Sequence, residues 1–195
     1  NDPFAAYRLG FSNPGGMWLP SQMDVPANHE ALVKMGVPNP DVFKNPLEAP
    51  LAAIVSLGGC SASFVSPDGL VVTNHHCVQG ALQFNATPEK NYVEAGFLAK
   101  TRADELPAGP TQKVYVTQAI SDVTEKMTTG LAAIKDPIKR KDELESRMKA
   151  AVAACEKDRP SVRCNVGTFF RGATYLMTEM LEIRDIRMVY VPSRP

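Results

Sequence analysis

The sequence predicts a mainly β chain with helical insertions. Three observations carry that prediction. Apolar, β-branched runs follow one another over Leu51–Leu57, Ser61–Val65 and Leu70–Thr73, broken by Gly58-Gly59 and Pro67-Asp68-Gly69. Strand composition returns over residues 164–192, with Val166, Phe169, Phe170, Tyr175, Ile183, Met188 and Tyr190. Between these stretches lies one long amphipathic helix.

The elements follow in order. Residues 1–50 are rich in Pro, Gly and Asn and read as an extended arm, with one short helix near Asn28–Met35 capped by Asn28. Trp18, the only tryptophan, reads as an anchor that packs this arm down. The three runs from Leu51 to Thr73 read as consecutive strands with a tight turn at Ser66–Gly69. Thr87-Pro88-Glu89 carries a cap, a proline and an early acid, and starts a helix to about Leu98. Lys113–Thr117 reads as a strand, and Ser121-Asp122 as the start of a helix ending near Gly130. Asp136-Pro137 opens the longest helix, to about Lys157. Its Leu144, Met148, Val152 and Cys155 form one stripe at i, i+4, i+8 and i+11. Pro160 blocks its continuation.

Composition excludes several functions. The 195 residues hold 21 basic and 21 acidic side chains, so the net charge is zero. A general nucleic-acid binder needs a basic surplus to neutralise phosphate. No apolar run approaches the roughly 20 residues of a membrane helix. The first residues lack a signal-peptide pattern, so an exported protein would already have lost its leader.

Chemistry concentrates at Leu70-Val71-Val72-Thr73-Asn74-His75-His76-Cys77. Two of the three histidines sit there, at the predicted end of a strand. Imidazole suits base work near neutral pH. The four cysteines form two sequence-local pairs, Cys60 with Cys77 and Cys155 with Cys164. That spacing suits two disulfides and an oxidising compartment, the alternative being four buried thiols in a cytosolic protein. Zinc held by Cys60, His75, His76 and Cys77 is disfavoured. Neighbours on a strand point to opposite faces, and no zinc motif has this spacing. No cofactor is implied.

Gly58–Val65 followed by Leu70–Cys77 resembles the first-barrel signature of chymotrypsin-like serine peptidases. There a strand reading Val-Val-Thr-Ala-Ala-His-Cys carries the catalytic histidine, and the cysteine after it bonds one on an earlier strand. The match places His76, not His75, at the base position and implies a Cys60–Cys77 disulfide. Met17–Gln22, Asp68–Cys77 and Asp185–Pro192 together resemble the bacterial dipeptidyl-peptidase 7/11 family, from about Gly15 to Pro192. The resemblance implies a chymotrypsin-like double β-barrel capped by helices. Residues 51–195 would supply the first barrel, with a helical insertion around 119–160. It also implies an exported, periplasmic or secreted serine exopeptidase that removes dipeptides from peptides with a free amino end. A homodimer is compatible with it.

The family triad is His, Asp, Ser in chain order, and only the histidine has a counterpart here. No Gly-Asp-Ser-Gly, Gly-Asn-Ser-Gly or Gly-x-Ser-x-Gly occurs. The family's Asp and its amine-binding Asn-Trp pair follow shortly after the Asp185–Pro192 motif, and its Ser lies far downstream. The sequence is therefore expected to be an inactive N-terminal piece of a longer enzyme. Asp68 is explained by its turn, and Asp185 by ion pairing with Arg184 and Arg187. Neither matches the acid position. The competing readings are a non-catalytic barrel module and, third, a small zinc protein.

Overall fold

The structure is a computed structural model that describes residue 22 and residues 25–193. Trp18 and most of the Met17–Gln22 motif lie outside the described residues. The chain divides into two compact units, 1–53 and 54–195.

In the first unit, helix α1 (Pro26–Lys34) begins with proline at its first position and Val25 as N-cap. Asn28 is therefore inside the helix, not its cap. Its buried amide donates to the Gln22 carbonyl at 2.9 Å. His29 Nε2 lies 3.0 Å from Asp41 Oδ1. That hydrogen bond, then Lys44, holds the Asp41 carboxyl below its ordinary range. Leu51–Ala53 is a 3-10 turn rather than strand.

The second unit is mainly β with helices. Its strands are β1 (Ile54–Ser56), β2 (Ser61–Phe64), β3 (Val71–Thr73), β4 (Phe97–Leu98), β5 (Leu106–Pro107), β6 (Val114–Asp122), β7 (Val162–Phe169), β8 (Thr174–Ile183), β9 (Arg187–Met188) and β10 (Tyr190–Val191). Six form one antiparallel sheet in the order β3-β2-β1-β6-β8-β7. β10 pairs with β4, and β5 with β9. Register puts Val55 opposite Ala62, and both are buried with Val114. The turn at 66–69 forms where expected. Ser66 Oγ accepts from the Asp68 and Leu70 amides, and Gly69 supplies φ +87°.

The helices of this unit are α2 (His75–Asn85), α3 (Tyr92–Ala95), α4 (Thr124–Thr128) and α5 (Pro137–Glu156). α5 matches the sequence expectation. Asp136 Oδ1 accepts from the Ile138 and Lys139 amides, and Leu144, Met148 and Val152 pack on Met127, Val166 and Tyr175. Arg147 ties α5 to the end of α4 by donating to the carbonyls of Met127 (3.1 Å) and Thr129 (2.6 Å).

Two other helices differ from expectation. The helix expected from Ser121 to near Gly130 forms as the shorter α4, starting three residues later because β6 runs on to Asp122 against β8. The helix expected over 87–98 is absent. Thr87 and Lys90 exchange backbone hydrogen bonds at 3.1 Å, and only the one-turn α3 follows. Tertiary pairing of β4 with β10 overrides the local start signal.

Glu182, buried on β8, draws three elements together. Its carboxylate lies 3.2 Å from Lys113 Nζ, 2.9 Å from Arg163 Nε and 2.6 Å from Arg184 Nε. Burial pushes this carboxyl up. Hydrogen bonds from Arg184 and Lys113 and the charges of Arg163 and Arg184 outweigh burial and hold it below the ordinary glutamate range. A lowered folded-state value means that the unfolded chain binds the proton first on acidification. Glu182 therefore contributes stability in full above about pH 4.3, and loses it as pH falls through the folded value. Thermal melts of wild type and Glu182→Gln between about pH 7 and pH 3 should show a gap that closes with acid. A gap independent of pH would contradict this assignment.

Candidate active site around His76

The strand-to-helix junction after β3 positions the histidine pair. β3 ends at Thr73, whose Oγ1 donates to the Ser61 carbonyl at 2.9 Å. Asn74 is extended, at φ −76° and ψ 147°, and is the N-cap of α2 without a side-chain cap bond. His75 and His76 are thus the first two residues of a helix, not the end of a strand. Consecutive helical residues point about 100° apart instead of to opposite faces. His75 is half-buried and His76 exposed.

Cys77, next on the same turn, is bonded to Cys60 on the β1–β2 connection, with a Cα separation of 6.2 Å. A ring nitrogen of His76 and the sulfurs of Cys60 and Cys77 all lie within 4.8 Å of one another. These sulfurs are tied up as a disulfide and are not thiolate donors. What remains is one exposed imidazole braced against a covalent crosslink, an arrangement suited to proton transfer.

The far end of α2 is anchored too, by a residue that sequence reasoning missed. Asn85 Nδ2 donates to the carbonyls of Ala81 and Pro107, both at 2.8 Å. Nothing local in the sequence marks it, because Pro107 approaches through β5. Ala81 and Leu82 are buried with Met188 and Val191.

The other candidates fall away from this centre. Cys155 and Cys164 form the second disulfide, at the end of α5. Around it Glu156 Oε1 accepts from the Cys164 amide at 2.8 Å, and Arg159 pairs with Glu179 at 2.8 Å. Asp68 stays in its turn. Asp185 sits between β8 and β9 at φ +56° and pairs with Arg187 at 3.2 Å, while Arg184 turns to Glu182.

Comparison with known proteins gives consistent matches. The peptidase S46 family description matches residues 13–195. Over 178 residues the chain is 43% identical to an Asp/Glu-specific dipeptidyl-peptidase of Shewanella putrefaciens, covering 91% of this chain and 24% of that one. It is 34% identical over 186 residues to an Asp/Glu-specific dipeptidyl-peptidase of Porphyromonas gingivalis, covering 91% and 25%. The crystal structure of Porphyromonas endodontalis DPP11 in complex with substrate superposes with a TM-score of 0.75. That match has 31% identity and covers 92% of this chain and 27% of that one. The chain thus spans about a quarter of the length of the curated relatives it matches.

The crosslink beside His76 is testable by itself. Closing a loop of 17 residues in sequence contributes about 3 kcal/mol by the chain-entropy estimate. A Cys60→Ser/Cys77→Ser double variant should lose about that much in urea denaturation. Peptide mapping without reduction should recover Cys60 joined to Cys77 and Cys155 joined to Cys164. Cys60 joined to Cys155, or four alkylatable thiols, would refute the pairing.

Proposed function

Because the chain belongs to the peptidase S46 family, we propose that it supplies the general base of a serine dipeptidyl-peptidase. The full-length protein would remove dipeptides from peptides with a free amino end. Residues from β1 onward would form the first barrel of a chymotrypsin-like catalytic domain. The Asp/Glu specificity for which these two relatives are named makes Asp or Glu at the second substrate residue the first preference to assay. Two disulfides suit an oxidising compartment, the periplasm or the exterior.

One observation carries the reading: an exposed imidazole at the first turn of α2, held against the Cys60–Cys77 bond. In this mechanism His76 accepts the proton of the serine hydroxyl as that oxygen attacks the second peptide carbonyl. It then donates the proton to the departing amine. The nucleophile and the acid that orients the imidazole come from the remainder of the full-length protein. The crosslink limits imidazole wander, so the proton acceptor is set before substrate arrives.

Replacement of the two histidines in the full-length protein separates their roles. His76→Ala should lower kcat by several orders of magnitude, the usual loss for a triad member. His75→Ala should cost about 1 kcal/mol of stability through lost packing and leave turnover within a few-fold. Dipeptide release measured by mass spectrometry, with melting temperatures alongside, decides the matter. An active His76→Ala enzyme, or a well-folded but inactive His75→Ala enzyme, would reverse the assignment.

A further inference from the structure

Gly96 ends α3 at φ 72° and ψ −173°, a region that glycine alone occupies without strain. Its α-carbon is also crossed by main chain. A Cβ there would lie 2.5 Å from Ser193 N, 2.6 Å from Val191 O and 2.8 Å from Pro192 C. All three obstacles are backbone, so no side-chain rotation clears them. The 191–193 segment would have to retreat by about 1 Å to reach ordinary contact.

That segment supports the His76 helix. Val191 pairs with Phe97, the residue after Gly96, and Ala99 N donates to Val189 O at 2.8 Å. Val191 and Met188, 3% and 5% exposed, are buried with Ala81 and Leu82 of α2. Tyr92 and Phe97 meet edge to face at 5.5 Å and hold α3 against β4. The closeness of β10 to β4, which Gly96 permits, therefore sets the floor on which α2 rests.

We propose that Gly96 is a positioning residue for the His76 centre: it admits the 191–193 backbone, and through Val191 and Met188 that backbone fixes α2. The proposal rests on the reading of His76 given above. A misplacement of about 1 Å at a reacting centre can cost about a hundredfold in rate. Gly130 is a control for positive φ without backbone crowding. It also has positive φ, +75°, but nothing lies within 4 Å of its Cβ position. Both alanine variants carry backbone strain, and only one displaces β10.

The experiment compares Gly96→Ala and Gly130→Ala in the full-length protein. The readouts are kcat, KM, melting temperature and hydrogen exchange of peptides covering 75–85. Gly96→Ala should lose about a hundredfold in kcat with KM within about threefold, and exchange in 75–85 should quicken. Gly130→Ala should lose melting temperature while keeping kcat and that exchange pattern. Equal kcat losses in the two variants, or normal kcat in Gly96→Ala, would overturn the proposal. If Gly96→Ala does not fold, Val191→Ala, which trims the α2 contact without backbone strain, should show the same kcat loss and faster exchange. If the wild-type protein releases no dipeptides, the functional reading falls, and unchanged exchange in 75–85 of Gly96→Ala overturns the positioning claim separately.

Discussion

The Cys60–Cys77 bond is the constraint on which the rest of the site depends. Asn74 makes no side-chain cap bond, so the first turn of α2 has little local support of its own. An exposed imidazole on an uncapped first turn would fray with it. The disulfide replaces the missing cap by tying the residue after His76 to the β1–β2 connection. Thr73 adds a second tie, from the end of β3 to Ser61.

The opposite end of α2 depends on residues far along the chain. Leu82 is fully buried among Met188 and Val191, and Asn85 reaches Pro107. α2 is thus held covalently at its start and by packing at its end. The α5 layer contributes separately. Met127, Ala151, Val166 and Tyr175 form their own core, and none of them belongs to the cluster beneath α2. Losses in the α5 layer should fall on stability more than on the geometry of the imidazole.

Local signals made part of this legible. α5 announces itself through the Asp136 cap, Pro137 and an apolar stripe spaced by four, four and three residues. The turn at 66–69 follows from Ser-Pro-Asp-Gly. The start of α2 has no such signal. A β-branched run flows into His-His-Cys, the cap residue makes no side-chain cap bond, and Gly80 weakens the helical pattern. The Thr87-Pro88-Glu89 start signal is real chemistry outvoted by the Thr87–Lys90 bridge and by β4 pairing. At the site, cysteine spacing and resemblance pointed to the crosslink and to His76. The support from Met188, Val191 and Gly96 comes from long-range packing, which leaves no trace in local sequence.

The central claim is that the His76 imidazole itself moves the proton. Its exposure permits a direct test, because a small base from solvent can enter the space left by truncation. In full-length His76→Ala, added imidazole should restore dipeptide release in proportion to its concentration. Weaker heterocyclic bases should restore less, following their basicity. A folded, inactive His76→Ala protein that no imidazole concentration revives, while its melting temperature matches wild type, would contradict the account.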